Sequence, residues 1–444
     1  MSLFGAMNTA ISGLTAQSNA FANISDNVAN SQTVGYKRVD TSFIDYLTTS
    51  TADINNPGAV VAKPDYVNDV QGTVTQTQSP LNLAITGQGF FAVSQQTGDV
   101  NNVPTFNSQQ FYSRAGDFQM NKDGYLVNSA GEFLNGWPVN SATGVANQNA
   151  LAPIQVTQTV YNPVATTNVT LSANLPATPA AGTATAASPL ASTIDVYDSL
   201  GAMHTVTLNW VQTSVNNWQV SVSSPDDLSA ASRGTADVQF GASSGNSVPE
   251  GTVGQISTTA ATAGTVTANG GYAAGQAATM SFTTNFGTGP QTINVNLGTY
   301  GQTNGLTQYA GTQYQLQGLT QNGVPPGAYA STDIQANGDV VVNYNNGQTR
   351  TIAQVPVVTF NDPNQLQRQD GQSFTATLQS GTPLAEQAST NGAGNLVTSS
   401  VESSNVDIAT EFSQLIVAQQ AYAANAKMVT TADQLLQQTI NMKQ

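Results

Sequence analysis

The chain of 444 residues contains no cysteine and one histidine, His204. The first absence excludes disulfides, thiolate catalysis and cysteine-based zinc or iron sites. The second excludes paired-histidine metal sites and leaves little scope for histidine catalysis. Charge is scarce as well: charged residues make up 8%, against roughly a quarter in ordinary soluble domains. The 25 acidic and 10 basic residues give a net charge of −15. Ten cations on so long a chain cannot build the basic face that phosphate backbones or anionic lipids require, which argues against nucleic-acid and membrane-surface binding. No run approaches the ~20 apolar residues of a membrane span. The first basic residue is Lys37, so the positive start of a secretory leader is missing. If the chain is exported, the expected route is one that keeps its N-terminus.

Hydrophobic residues make up 39%, enough for real cores, and the length suggests about three domains. The two ends read as helices. Leu3, Met7, Ala10, Leu14, Phe21, Ile24 and Val28 recur at alternating steps of four and three, with Gln17 in the interrupted slot. Near the C-terminus Ile408, Phe412, Leu415, Tyr422, Ala426, Val429, Leu436 and Ile440 do the same, with Gln419 and Asp433 as interruptions. Such heptad stripes are seams for packing one helix on another. Ser404 with Asp407 reads as a capping box, which predicts a helix start near Asn405. The stripes suit assembly between chains; the alternative is a helical hairpin tucked onto one domain of the same chain.

Between the ends the pattern is β. Leu81, Leu83 and Ile85 alternate with polar residues before Gly87. Val206, Leu208 and Trp210, then Trp218, Val220 and Val222, predict a hairpin, and Ile293, Val295 and Leu297 predict another strand. Asp123-Gly124, Asn337-Gly338 and Asn346-Gly347 read as tight turns. Two low-complexity stretches, 172–193 and 242–278, read as long loops or weak strands outside the core.

Motifs for phosphate, zinc-protease and serine-hydrolase chemistry are missing: there is no GxxxxGK, HExxH or GxSxG. The run from Gln119 to Gly124 is a poor match to a calcium loop and a good match to a hairpin turn. His204 reads as a strand-edge residue, and Asp226-Asp227 after Pro225 as a solvated turn. No catalytic residue, cofactor or metal site is expected, and the chain is read as not an enzyme.

Other residues carry a resemblance to a family. Asn27-Val28-Ala29-Asn30, then Thr33, Gly35, Tyr36, Lys37 and Arg38, resemble the N-terminal signature of bacterial flagellar rod and hook axial proteins. Ser404-Asn405-Val406-Asp407, with Gln420, Tyr422, Asn425 and Ala426, resemble its C-terminal partner. Leu83-Ala84-Ile85 before Gly87-Gln88-Gly89-Phe90-Phe91, then Ser113-Arg114-Ala115-Gly116 and Asp123-Gly124-Tyr125-Leu126, are similar to the family's β-domain. Tyr197-Asp198-Ser199-Leu200-Gly201, Asn346-Gly347-Gln348 and Phe360-Asn361 resemble the hook members in particular. The stretch 223–321 supplies no residue-specific match.

The resemblance implies an α+β multidomain chain, with paired, coiled-coil-like terminal helices bracketing two mainly-β domains. The expected division is 1–34 with 402–444 for helical assembly, 35–145 with 319–401 for a central β-domain that includes an N-terminal connecting segment, and 146–318 for an inserted outer β-domain. It further implies a subunit exported through the flagellar type III apparatus without a cleaved leader, and located outside the cell. There it would polymerise with itself into the hook, the flexible joint between rod and filament, and line the export channel. Rod, hook-cap and hook–filament junction proteins would be its neighbours. The alternatives are another axial protein, such as the distal rod or a junction protein, and a secreted β-rich glycan-binding protein or hydrolase.

Overall fold

The computed structural model describes residues 3–50, 55–101, 103–141, 143–229, 232–242, 247–258, 266–268 and 275–441. It is mostly β, with an α-helix near each end: α1 (Leu3–Ala29) and α2 (Ile408–Asn441). The chain divides into two compact units, one of residues 1–158, 330–343 and 349–444, the other of residues 159–329 and 344–348. The expected outer segment, 146–318, overlaps the second unit. Both helices belong to the first.

In the first unit a long antiparallel hairpin follows α1: β1 (Val39–Ser50) pairs with β2 (Asn55–Tyr66) from Val39↔Tyr66 to Ser50↔Asn55. The sequence reading left this segment as a connection. The hairpin lies along α1, where Thr9 Oγ1 donates to the Gly58 carbonyl (3.2 Å) and the Val60 amide donates to Ser12 Oγ (3.1 Å). A larger sheet is built around Glu132–Pro138, Phe91–Val100, Phe111–Ser113 and Ser373–Thr375. Its core gathers Phe90, Ala92, Tyr112, Val358, Leu366 and Phe374. The Leu83–Thr86 strand pairs with Asn395–Thr398, so the chain returns to its N-terminal half just before α2. Asp123-Gly124 turns between Gln119–Met120 and Leu126–Val127, and Asn337-Gly338 lies between Tyr329–Ile334 and Asp339–Tyr344.

The second unit is a sandwich. One sheet is an antiparallel meander of Leu190–Tyr197, Met203–Ser214, Asn217–Ser223, Ser232–Phe240 and Val253–Thr258. The other has six strands, among them Ala277–Asn285, Pro290–Thr299, Asn168–Asn174 and Gln315–Gln321. Alternation explains the packing. Trp218, Val220 and Val222 all point inward while their neighbours stay half-exposed. They join Trp210 from the same sheet and Phe282, Ile293 and Val295 from the facing one. Truncating Trp218 to Ala would cost about 3–5 kcal/mol.

Two readings of this region need correction. The low-complexity stretches are not wholly outside the core: Leu175, Ala184, Val253, Ile256, Val266 and Ala278 are buried in it, while 243–246, 259–265 and 269–274 lie outside the described residues. Small and β-branched residues fill a thin sandwich well, and composition alone hides their alternation. Asp227 is not solvated. Its side chain is buried against Arg233 and accepts from Thr284 Oγ1 (2.6 Å), and only Asp226 stays in water. Burial pushes the Asp227 carboxyl up, but Arg233, Thr284 and the amides of Ser229 and Asn285 outweigh that and hold its pKa at about 2. His204 lies at the edge of its strand, Met203–Ser214, as read from the sequence, with its ring stacked on Phe286 at 4.0 Å between Asp198 and Asp226.

Candidate assembly site

The two chain ends meet where the helices leave the β scaffold of the first unit, and a carboxylate joins them. Glu402 lies on the short strand Ser400–Glu402, paired with Val74–Gln76. Its side chain is fully buried, as are those of its partners Lys37 and Arg114. Lys37 Nζ donates to Oε1 at 2.6 Å, Arg114 Nη1 donates to Oε2 at 2.9 Å, and the Gly72 amide donates to Oε1 at 2.8 Å. The cations are also tied to backbone: Lys37 to the Val70 carbonyl, and Arg114 to those of Ile85 and Gly87. Two cations around one anion leave an excess positive charge in the interior. Burial therefore pushes both the Lys37 and the Arg114 pKa down, and the attraction of Glu402 only partly offsets it.

Around this cluster the residues of the family signatures interlock. Gly35 has φ +70, and a Cβ there would lie 2.3 Å from the Ala115 amide nitrogen, so only glycine fits. Its own amide donates to the Glu402 carbonyl at 2.8 Å. Asn405 Oδ1 accepts from the Arg38 amide (2.7 Å), and its Nδ2 donates to the Val67 and Val70 carbonyls (3.1 Å each). Asn27 holds both backbone groups of Val39 at 3.0 Å and accepts from the Tyr36 hydroxyl at 3.1 Å. The Arg368 guanidinium lies over the Tyr36 ring, 4.3 Å from its centre. Asn30 closes the end of α1, its Nδ2 donating to the Asp26 carbonyl (2.9 Å). Gly87 supplies a carbonyl to Arg114. Gly89 leads into Phe90 and Phe91, whose rings enter the core.

From this root α1 and α2 run in contact. Asn27 Nδ2 donates to Glu411 Oε1 (3.3 Å), the Phe21 and Tyr422 rings meet edge to face at 6.4 Å, and Gly13 faces the Asn425 side chain. Glu411 is buried, and its Oε2 and Asp40 Oδ1 are both buried without a hydrogen-bond partner among the described residues. Burial pushes the Glu411 carboxyl up; the Asn27 bond opposes this, and Asp40 and Asp407 add to it.

The predicted stripes fall unevenly on this contact. In α1, Ile24 is buried, while Met7, Leu14, Phe21 and Val28 are half-buried. Ala10, also a stripe position, is buried too, and so are Gly13, Ala16, Ala20 and Asn27, which the stripe did not include. The side chains of Leu3 and Ile440 lie outside the described residues. In α2, Leu415, Val429 and Leu436 are half-buried and Tyr422 keeps its ring contact, but Ile408 and Phe412 are exposed. Glu411, Ala418 and Ala432 are buried, each one position before Phe412 and the interrupted slots Gln419 and Asp433, while the predicted Ala426 is half-buried like its neighbour Asn425. The cap reading is corrected too. α2 starts at Ile408, and its cap is Asp407, whose Oδ1 accepts from the Ala409 amide at 2.9 Å. Ser404 makes only a local turn with the Val406 amide. Asn405, fastened to Val67 and Val70, holds the chain extended at the expected start.

Sequence reading named Lys37 and Arg114 only inside motifs, placed Glu411 near the positive end of the α2 dipole without its contact to Asn27, and missed Glu402. Scarcity was the available signal: Glu402 is the only charged residue between Glu386 and Asp407. Among the described residues no helix is long and apolar enough to span a membrane, and no cluster of metal-ligating side chains occurs.

Both chain ends are thus fastened at one root of a β frame, with part of the apolar surface of α2 exposed in the single chain. Four family descriptions match successive parts of the chain: "Flagella basal body rod protein" at 7–37, "Flagellar hook protein FlgE/F/G D1 domain" at 84–174, "Flagellar basal body protein FlaE D2 domain" at 142–324, and "Flagellar basal body rod FlgEFG protein C-terminal" at 397–442. Flagellar hook protein FlgE of Brucella suis is 31% identical over the full length of both chains. That of Escherichia coli is 30% identical, covering 99% of this chain and all of its own. A crystal structure of Helicobacter pylori flagellar hook protein FlgE2 overlaps 72% of this chain and 98% of its own, with 13% identity and a TM-score of 0.46. The chain belongs to the flagellar hook protein family, and its role is that of a structural subunit of the hook.

Proposed function

We propose that the terminal helices assemble the hook by burying, between copies, the apolar surface that one chain leaves in water. The observation that carries this is the surface of α2. With α1 covering one face, Ile408, Phe412 and Ile416 lie on one flank of the contact and Val417, Met428 and Leu435 on the other. All six are exposed, Phe412 at 51% and Val417 at 65%. Two apolar flanks beside an occupied seam need two further helices, and a homopolymer supplies them from other copies. Joining one patch to a different patch of the next copy does not close, and so gives a helical tube. The coiled-coil-like pairing of α1 with α2, with the seam residues named above, belongs to that assembled state. So does the division into 1–34 with 402–444, 35–145 with 319–401, and 146–318.

On this reading the chain is exported unfolded without a cleaved leader, joins rod, cap and junction proteins, and lines the channel with its charge-poor ends. Seeded polymerisation of the purified chain, viewed by negative-stain microscopy, is the test. Curved tubes from the native chain and none from Ile416→Asp are expected; persistent monomers of the native chain would overturn the proposal.

A further inference from the structure

The chain contains seven asparagine–glycine pairs, at Asn135, Asn269, Asn304, Asn322, Asn337, Asn346 and Asn391; Asn269 lies outside the described residues. Such pairs can convert without an enzyme. The glycine amide loses its proton and its nitrogen attacks the asparagine Cγ. A five-membered succinimide closes as the bond to Nδ2 breaks, and ammonia leaves carrying a proton. Water then opens the ring at either carbonyl, giving aspartate or isoaspartate. The reaction needs a glycine N–H free of hydrogen bonds, a side chain free to swing toward it, and room around the pair.

Five of the six described pairs fail these conditions. Gly338 N–H is held by the Gln335 carbonyl (2.9 Å), Gly347 N–H by that of Tyr344 (3.1 Å), and Gly323 N–H by Gln321 Oε1. Asn337 Oδ1 accepts from the Asp339 amide, Asn346 is fixed by the Pro325 carbonyl and the Gln348 amide, and Asn322 Oδ1 by the amides of Thr167 and Asn168. Asn304 is tied at both side-chain ends to Thr299, and Gly305 is packed against Leu297 and Gly298. Asn135 is buried with both ends on the Ser94 hydroxyl.

Asn391 differs on every count. It is exposed, and its side chain makes one surface bond, from Nδ2 to Glu386 Oε2 at 3.0 Å. Gly392 N–H has no acceptor among the described residues, and the space where its Cβ would stand is empty to 4 Å. The turn is strained as well: Ser389 (φ 67) and Asn391 (φ 48) both occupy the left-handed region.

We infer that Asn391 is a site of spontaneous conversion to aspartate and isoaspartate, and the most reactive of the described pairs. The product places a second carboxylate beside Glu386, at a 500 Å³ groove also lined by Asp69 and Asp362. Isoaspartate lengthens the backbone of the turn that leads from Leu384–Glu386 to Asn395–Thr398. Conversion therefore makes an old subunit more acidic than a new one, and reshapes it at one defined place.

The full chain would be held in mildly alkaline buffer, folded and in parallel in concentrated urea, and the amide-to-acid mass change read for each peptide over time. In urea the pairs should convert at similar rates. In the folded chain Asn391 should keep close to its urea rate while the other five slow by about tenfold or more, because they must first open locally. The Asn391→Gln chain should lose the fast signal. Slowing of Asn391 to the same extent as Asn337 and Asn346, or earlier conversion of either, would overturn the inference.

Discussion

Glu402→Gln changes one oxygen to nitrogen and should unlock the place where both helices are rooted. Glutamine fills the same space and keeps one acceptor, but Lys37 and Arg114 then share the interior without an anion. Removing one partner of a buried ion pair costs about 3–5 kcal/mol, because the remaining charge stays desolvated. Here two charges are left, within 2.6 and 2.9 Å of the substituted group. Lys37, already pushed down by burial, can shed its proton and relieve one of them. A loss of about 3–5 kcal/mol is therefore expected from the first unit, a fall in its melting temperature on the order of 10 °C.

Calorimetry of the whole chain is the assay, and the second unit is its internal reference, since none of the cluster belongs to it. Its transition should stay in place while the first moves. The double change Lys37→Met, Glu402→Gln should recover part of the loss, because one stranded cation has gone. A first-unit transition that moves by less than about 1 kcal/mol would refute the reasoning, since even one cation left buried without its anion costs more than that.

Other predictions follow the same physics. Asp227 titrates at about 2 instead of 3.8, so its contribution to the second unit is complete above the ordinary aspartate range and is lost as pH falls toward 2. The full shift corresponds to about 2.4 kcal/mol and nearby water screens part of it, so acid unfolding should show a loss of about 1–2 kcal/mol that Asp227→Asn lacks. Glu411 is pushed up, so its contribution to helix docking is present in acid and is lost as pH rises through its folded pKa. Ellipticity at 222 nm, dominated by α1 and α2, should hold to higher pH in Glu411→Gln. Ile416→Asp and Leu435→Asp should leave melting of both units within about 0.5 kcal/mol of native, as exposed sites do, while sedimentation shows no polymer.

What the sequence disclosed was mostly periodicity. The Trp218-Val220-Val222 alternation marked a sandwich strand because burial there repeats every second residue. The terminal helices were legible for the same reason, with a period near 3.5. The β1–β2 hairpin was not, because its apolar residues, Phe43, Ile44, Tyr46, Val60 and Val61, are adjacent as often as they alternate, and several stay exposed. The charged root was illegible as a cluster. Lys37, Arg114 and Glu402 are brought together across 365 and 288 positions of sequence, and no local pattern records a contact of that range.

The error in the helix seam is informative about assembly. A heptad reading assigns the seam to the largest apolar side chains, since these gain most from burial. The structure puts Ala10, Gly13, Ala16 and Ala20 at the deepest positions of α1, and Ala418 and Ala432 at those of α2. Small residues let two backbones approach closely, and the contact between Gly13 and the Asn425 side chain is of that kind. Close approach displaces the large side chains sideways. Phe412, Ile416 and Met428 then stand beside the seam and remain exposed. On the proposed assembly, one amphipathic pattern carries two instructions, small residues for the partner within the chain and large ones for partners outside it. A monomer obeys only the first, and on that reading its helices gain more from joining a tube than from folding alone.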